Sequence, residues 1–270
     1  KGVVSSIDAV RVFTQLLDPS LVPADLRRKL QRLRAGGTNI SEFKIDAALS
    51  GPLDWSRFPH GQEFSVGMQL LCPSMDYLDY VFADIERGVP PEEPAMMVGT
   101  ASALDPSLAP NGGHTLWVSS FAPYRRRDGR SWDEAKQEFA DRMLDVLSCY
   151  TPNVRDVLVA SELTSPLDWH RRTGSLRGNP NHLDMTLDQI LGYRPLPELK
   201  DYHTPVAGLY LSGSGTHPGG GMSGNPGYNT AQAVLQDLGL LPPPGRTGLV
   251  ARAKKLASLL QVYRKLRRYL

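Results

Sequence analysis

Residues 208–231 have the sequence GLYLSGSGTHPGGGMSGNPGYNTA, with seven glycines between positions 213 and 227. The apolar run at 208–211 predicts a strand, and a helix is predicted after the glycines by the spacing of Ala231, Val234, Leu235 and Leu238. Glycine lets the backbone adopt positive φ and approach a ligand closely. A helix N-terminus offers unpaired N–H groups and a positive dipole to an anion. A loop between these two elements suits a phosphate or a flat, electron-rich ring.

Residues 219–224 match the GxGxxG pattern of dinucleotide-binding loops, but their context does not fit a Rossmann βαβ unit. Residues 212–218 separate the pattern from the strand, whereas in a βαβ unit the glycines follow the strand at once. No second strand with a ribose-binding acid follows, because the helix leads to prolines 242–244. A glycine-rich structural turn therefore stays open as an alternative.

The run from Leu209 to Ala231 resembles the C-terminal signature of the phytoene desaturase-like family of FAD-dependent oxidoreductases, which includes carotenoid desaturases and isomerases. Within that family it resembles the pyridine nucleotide-disulphide oxidoreductase-domain type. Val3-Val4-Ser5-Ser6 resembles the last strand that returns to the FAD domain. An upstream block also resembles the family in order and spacing: Gly178-Asn179-Pro180-Asn181-His182-Leu183-Asp184-Met185, then Leu187-Asp188-Gln189 and Arg194-Pro195.

The resemblance implies an α/β fold. It comprises an α+β substrate domain with an antiparallel sheet and helices, plus the C-terminal strand and helix of an FAD-binding Rossmann-like domain whose N-terminal half is missing. The predicted domains are the return strand and loop at 1–20, the substrate domain at 21–200, the C-terminal FAD-binding segment at 201–240 and a basic amphipathic tail at 241–270. Lys1 is not an initiator methionine, which suggests a fragment or a cleaved product. The expected partner is an N-terminal FAD-binding half, as a separate chain or a missing segment, and an oligomer is a further candidate.

The resemblance also implies that the glycine-rich loop lies along the diphosphate, ribityl chain and isoalloxazine ring of FAD. The candidate cofactor-binding residues are Gly213, Gly215, Thr216, His217, Gly219, Gly220, Gly221, Met222, Ser223 and Gly224. His217 has two interpretations, a polar contact to the flavin or its phosphates and a hydrogen bond to its own loop, and both stay open.

His182 and Asp184 flank the apolar Leu183 and are the candidate catalytic residues, as a pair that faces the flavin and either orients a group or relays a proton. A network that stabilises the loop is the alternative. Arg194 suits a phosphate or a carboxylate, although we favour a surface salt bridge. The histidines lack metal-ligand spacing, so no metal is expected. A Gly-x-Ser-x-Gly elbow is absent, which disfavours a serine hydrolase.

Elsewhere the chain predicts an antiparallel sheet that helices cover on one face. Predicted helices lie at about 24–34, 74–88 and 131–148, and Ser131 and Glu134 form a capping box at the start of the last one. Predicted strands lie at 43–47, 95–102, 114–121 and 154–162.

The composition, 41% apolar and 21% charged, is that of an ordinary soluble protein. No apolar run approaches the length of a membrane span, and there is no signal peptide. Cys72 and Cys149 lack the spacing of a disulfide or metal motif, which indicates free thiols in a reducing compartment. These features together predict a cytoplasmic protein.

The positive charges after position 250 outnumber the net charge of +2 of the whole chain, so the rest of the chain is net negative. A uniformly basic surface for nucleic acid is therefore disfavoured. Helical spacing of apolar residues among these charges predicts a helix that lies on an anionic membrane surface: Leu256, Leu259, Leu260, Tyr263, Leu266 and Leu270. Docking of the same leucines onto the protein's own domain is the alternative.

The sequence therefore predicts an FAD-dependent oxidoreductase, a desaturase, dehydrogenase or isomerase-like enzyme. It would act on a hydrophobic, isoprenoid or lipid-like substrate by hydride transfer to flavin, and it would be incomplete without the N-terminal half. The alternative is a non-catalytic binding or membrane-associated scaffold that has lost flavin. Flavin absorbance of the purified protein discriminates between the two.

Overall fold

The computed structural model describes residues 2–33, 38–58, 61–221 and 223–241, so Met222 and the tail from residue 242 lie outside the described residues. The helices are α1 Ala9–Arg11, which continues into a π-helical turn at Val12–Leu16, α2 Ala24–Gln31, α3 Gly61–Phe64, α4 Met75–Glu86, α5 Trp132–Ser148, α6 Val154–Val157, α7 Pro166–Thr173 and α8 Asn225–Asp237. The strands are β1 Val3–Ser5, β2 Ile40–Leu49, β3 Met68–Leu71, β4 Met96–Gly99, β5 His114–Pro123, β6 Leu158–Thr164 and β7 Leu209–Leu211. Short 3₁₀ turns lie at Pro19–Leu21, Ala101–Ala103, Pro106–Leu108, Leu176–Gly178, Leu187–Gln189, Leu191–Tyr193 and Pro197–Leu199.

Five strands form an antiparallel sheet in the order β3-β4-β5-β2-β6. Along β2, Phe43 and Ile45 are buried on one face, and Lys44 and Asp46 alternate with them on the other. This two-residue period is what a half-buried strand requires. The expected mixed fold with an antiparallel sheet is confirmed.

Helix α5 covers the buried face of the sheet. It begins at the predicted capping box, in which Ser131 and Glu134 satisfy each other's backbone N–H groups. Phe139 packs edge-on against Phe43 with ring centroids 5.0 Å apart, and Met143 and Leu147 extend the same apolar stripe. The main core therefore lies between α5 and this first face of the sheet.

The prediction that helices cover only one face is wrong, because α4 packs on the second face. Phe121 of β5 pairs with Glu42 and so lies on the face opposite Phe43, where its ring meets Phe82 of α4 with centroids 5.5 Å apart. Val81 and Ile85 join the same small cluster. Helix α4 covers the end of the second face near Ile40, and the end near Leu49 carries an open groove.

A separate two-stranded sheet joins β1 and β7 in parallel, with Val3 opposite Leu209 and Ser5 opposite Leu211. Its core is a second apolar cluster that combines α1, α2 and the segment before β7: Ala9, Val12, Phe13, Val22, Leu26, Leu30, Leu199 and Leu211. This cluster packs across the boundary predicted between residues 20 and 21. The domain boundaries stay a prediction.

Several sequence predictions differ from the structure. Residues 154–157, predicted as part of a strand, form α6, and the strand itself starts at Leu158. Strand β3 and helix α7 were not predicted, because Met68–Leu71 has no alternation and Pro166–Thr173 is mostly polar. Among the described residues, no helix combines the length and the hydropathy needed to cross a membrane.

Candidate cofactor-binding site

Strand β7 delivers the glycine-rich loop to the edge of the parallel strand pair. The N–H of Ser212 donates to the carbonyl of Ser5 at 2.8 Å, and Leu211 is fully buried beside it. The loop leads into α8, and Thr230 of that helix donates to the Leu211 carbonyl at 3.0 Å. The predicted order of strand, loop and helix is therefore present, and it contains the candidate cofactor residues other than Met222, which lies outside the described residues.

Residues 213–220, the packed part of the loop, lie against the protein itself. Gly213 has φ +79°, and a Cβ there would lie 2.9 Å from the Ser6 carbonyl oxygen. A Cβ on Gly215 would meet the His182 ring at 3.0 Å. Internal packing explains why these two positions are glycines.

The second half of the packed part follows the same rule. A Cβ on Gly219 would lie 3.2 Å from the Met185 methyl group, and one on Gly220 would lie 2.2 Å from the side-chain oxygen of Asn181. Both neighbours belong to residues 178–185 of the upstream block that resembles the family. The block and the packed part of the loop therefore form one structural unit.

Residues 221 and 223–227, the open part of the loop, are different. Gly221 and Gly224 are exposed with φ +107° and +69°, and apart from their chain neighbours no heavy atom of the described residues lies within 4 Å of a Cβ built on either one. Gly224 is the N-cap of α8 and offers no side chain to its first turn. The helix therefore presents its N-terminus, where the peptide dipole is positive, beside open space.

Some side chains of the loop hydrogen-bond within the protein, and others keep hydrogen-bonding capacity for a ligand. Thr216 is buried, and its hydroxyl donates to the Gly213 carbonyl at 2.9 Å. The His217 carbonyl accepts from the Tyr202 hydroxyl at 2.9 Å, but the buried Nδ1 of His217 has no partner among the described residues. Ser223 is exposed, and its hydroxyl accepts from the N–H of Asn225 at 3.3 Å. His217 and Ser223 thus keep hydrogen-bonding capacity for a ligand.

In the structure Asp184 has hydrogen-bond partners other than His182. The carboxylate of Asp184 accepts from the Thr38 N–H and from the side-chain amide of Asn179, both at 3.0 Å. His182 has φ +65°, and its buried Nδ1 lacks a hydrogen-bond partner among the described residues. Burial lowers the pKa of His182, and the acid whose charge opposes that shift is Asp8. The role of this pair in proton transfer stays a prediction.

Sequence reasoning missed the buried Asp8 near the loop and expected the wrong environment for Arg194. Asp8 is 2% exposed, accepts from the N–H of Arg11 at 2.9 Å, and has a pKa that burial raises. The sequence pattern that could have indicated Asp8 is its position just before an apolar helical stretch, which is typical of an N-cap residue. Arg194 is fully buried, so the expected surface salt bridge is wrong. Its signal was the apolar context of Tyr193, Pro195 and Leu196.

The groove on the second face of the sheet is the other candidate binding surface. It measures about 1290 Å³ and lies where α4 leaves the sheet uncovered. Trp117 and Gly99 form part of its floor, and Leu104 and Leu108 of the β4–β5 connection line it while being more than half exposed. Apolar side chains this exposed are suited to an apolar ligand or partner.

No family model matches the chain. Pyridine nucleotide-disulfide oxidoreductase domain-containing protein 2 of Rattus norvegicus is 37% identical over 196 residues, which are 72% of this chain and 33% of that protein. Phytoene desaturase (lycopene-forming) of Pseudescherichia vulneris is 27% identical over 240 residues, which are 88% of this chain and 45% of that protein. The chain thus spans less than half the length of these relatives, and this partial coverage fits the resemblance to a C-terminal half.

The crystal structure of an oxidoreductase from Methanosarcina mazei shares the fold. The two structures have a TM-score of 0.51 at 16% sequence identity, over 86% of this chain and 42% of that one.

Proposed function

Because this chain belongs to the phytoene desaturase-like family of oxidoreductases, we propose that it forms part of an FAD-dependent oxidoreductase. It would supply the C-terminal segment of the FAD site together with a sheet that binds a hydrophobic, isoprenoid or lipid-like substrate. The observation that carries the proposal is the open part of the glycine-rich loop beside the N-terminus of α8.

The residues present fit a dinucleotide cofactor. Gly221 and Gly224 leave room where a side chain would stand, and the first turn of α8 offers N–H groups and a positive dipole to a diphosphate. The unpartnered Nδ1 of His217 could hydrogen-bond to the cofactor from the side of the packed part. FAD, when bound, would supply the acceptor for the hydride that leaves the substrate.

The open groove supports a hydrophobic substrate. Its apolar lining includes the exposed Leu104 and Leu108. An apolar ligand that covers this lining would displace water, and each Å² of apolar surface buried would favour binding by about 25 cal/mol. In this proposal the sheet holds and orients the substrate and excludes water from it.

The exposed strand β1 supports a partner that completes the FAD site. Within the described residues, β1 pairs with β7 alone, and Val3 and Val4 are more than half exposed. Apolar side chains on an unpaired strand edge favour addition of further strands. We propose that the N-terminal FAD-binding half packs here, and association of β1 with a second copy of the chain is the competing outcome.

Co-expression of this chain with the N-terminal half tests the proposal. We expect a stable complex that retains flavin, measured by visible absorbance and by release of FAD on denaturation. Deletion of residues 2–5 from this chain should prevent the complex from forming. A stable complex without flavin would favour the non-catalytic scaffold, and a dimer of this chain alone would favour self-association.

A further inference from the structure

Arg194 is a fully buried arginine beneath the glycine-rich loop. Burial of a charged side chain is costly unless its hydrogen bonds are satisfied. Burial lowers the pKa of Arg194 to about 10, and the negative charge of Asp184 opposes that shift. The guanidinium is therefore still protonated at neutral pH.

The guanidinium donates only to backbone carbonyls in the described contacts. Nε and Nη2 both donate to the Ser214 carbonyl, at 3.0 and 2.8 Å, and Nη1 donates to the Gln189 carbonyl at 3.0 Å. Nη2 also donates to the carbonyls of Asn181 and Leu183. One side chain thus joins the upstream block, the turn at Gln189 and the loop.

These contacts hold the packed part of the loop from below. The Ser214 carbonyl lies between Gly213 and Gly215, where a Cβ would stand 2.9 Å from the Ser6 carbonyl oxygen and 3.0 Å from the His182 ring. At the other end of the packed part, a Cβ on Gly219 would lie 3.7 Å from Nε of Arg194. The guanidinium therefore lies beside both ends of the packed part, just before the chain reaches Gly221.

We propose that Arg194 is a positioning residue for the glycine-rich loop. The planar fork of N–H donors on its guanidinium holds the loop in place, and its charge adds a fixed positive potential. The inference rests on the proposed function, because the potential would act on the negative charge of a bound FAD. In a medium of low dielectric constant, a buried charge acts over several ångströms. The fork and the charge have separable effects, since lysine keeps the charge but cannot reproduce the fork.

The experiment uses the complex of this chain with its N-terminal half, and it compares Arg194→Lys with Arg194→Met. We expect both variants to bind FAD at least about tenfold more weakly, because both lose the hydrogen bonds that fix the loop. Only Arg194→Met should make the midpoint potential of the bound flavin more negative, because it alone removes the positive charge. Arg194→Lys should keep the potential of the wild type.

Two controls separate this role from general stability. Arg155→Met makes the same change at an exposed ion pair with Asp145. Leu30→Ala weakens the second apolar cluster at a position outside the loop. Neither control should change the midpoint potential. If Leu30→Ala shifts it as much as Arg194→Met does, the effect of Arg194 is only structural and the proposal is overturned.

Hydrogen exchange at residues 213–220 provides a readout that does not need flavin. Arg194→Lys should speed exchange there, and Arg155→Met should not. If the wild-type complex holds no FAD, the proposed function fails while the exchange result still tests the anchoring of the loop. If FAD is bound and neither Arg194 variant changes affinity or potential, the inference fails by itself. Failure of both variants to fold would also overturn it, since Arg194 would then serve stability alone.

Discussion

The packed and the open parts of the glycine-rich loop are alike in sequence and different in structure. In the packed part, the protein's own atoms occupy the space of a side chain: the Ser6 backbone at Gly213 and the end of the Asn181 side chain at Gly220. In the open part, no other described residue fills the space of a Cβ at Gly221, Gly224 or Gly227, and Gly227 has no positive φ. Glycine density alone therefore does not identify a ligand site, and the neighbours of each glycine separate the two roles.

This difference changes how substitutions in the loop are interpreted. A bulky residue in the packed part would disrupt the fold whether or not a cofactor binds, so loss of flavin there would not identify the site. In the open part, a substitution at Gly227 tests ligand binding without an internal clash. Substitutions in the packed part should accordingly lower stability, and substitutions in the open part should lower flavin retention.

The largest loss of stability is expected for Gly213→Ala. The new Cβ would stand 2.9 Å from the Ser6 carbonyl, and φ +79° is strained for alanine. We expect the free energy of unfolding to fall by about 2 to 4 kcal/mol in urea titrations. Gly51→Ala is the matched control, because no described atom beyond its chain neighbours lies within 4 Å of a Cβ there and its φ is not positive, so stability should change little. Equal effects at the two positions would contradict the packed role of Gly213.

A smaller loss is expected for Gly220→Val, because its neighbour is the end of a side chain. The Asn181 amide can rotate away from the new Cβ, so we expect a loss of about 1 to 3 kcal/mol. Replacement of Asn181 by alanine in the same chain should recover part of this loss. A double-mutant cycle measures the recovery. A coupling energy near zero would show that the contact with Asn181 does not cause the loss of stability at position 220.

In the open part, Gly227→Leu should leave the fold intact and reduce flavin retention. Gly227 lies in the first turn of α8, and a helix former there should stabilise by up to about 1 kcal/mol. A leucine would, however, cover the space beside the helix N-terminus. Gly51→Leu is the control for the same change elsewhere. Full flavin retention in Gly227→Leu would place the cofactor away from this turn.

The sequence predicted elements whose signals are local. The capping box of Ser131, the alternation of β2 and the strand, loop and helix after residue 208 all depend on residues close together in the chain, and all three are present. It also predicted the family and the mixed fold, through a long ordered motif. These predictions needed no knowledge of tertiary contacts.

The sequence could not predict contacts between distant segments. Ser6 approaches Gly213, and Asp8 acts on His182, only because β1 pairs with β7 and brings the first residues beside the loop. The hydrogen-bond partners of Arg194 were also hidden, because they are backbone carbonyls, which every residue carries. The apolar neighbours of Arg194 in the sequence indicate burial, but they do not identify the carbonyls that it contacts.

The smallest effect concerns His182, the titratable group whose ring lies against Gly215 in the packed part. Its pKa is lowered from an ordinary value of 6.5 by burial, so the unfolded chain binds a proton more readily than the folded one. Stability should therefore fall as pH decreases through about 6.5, because stability rises with pH wherever the unfolded state binds more protons. His182→Gln should lose this dependence.

Asp8 also titrates near this ring and must be separated from it. Burial raises its pKa, so its own contribution has the opposite sign, and stability increases as pH falls through its folded pKa. The test therefore compares two variants, Asp8→Asn alone and Asp8→Asn combined with His182→Gln. Asparagine at position 8 keeps an N-cap residue for α1. Unfolding free energies between about pH 7.5 and 5.5 should converge toward low pH, because only the chain with His182 becomes less stable. Parallel curves would show that protonation of His182 does not oppose its packing against Gly215.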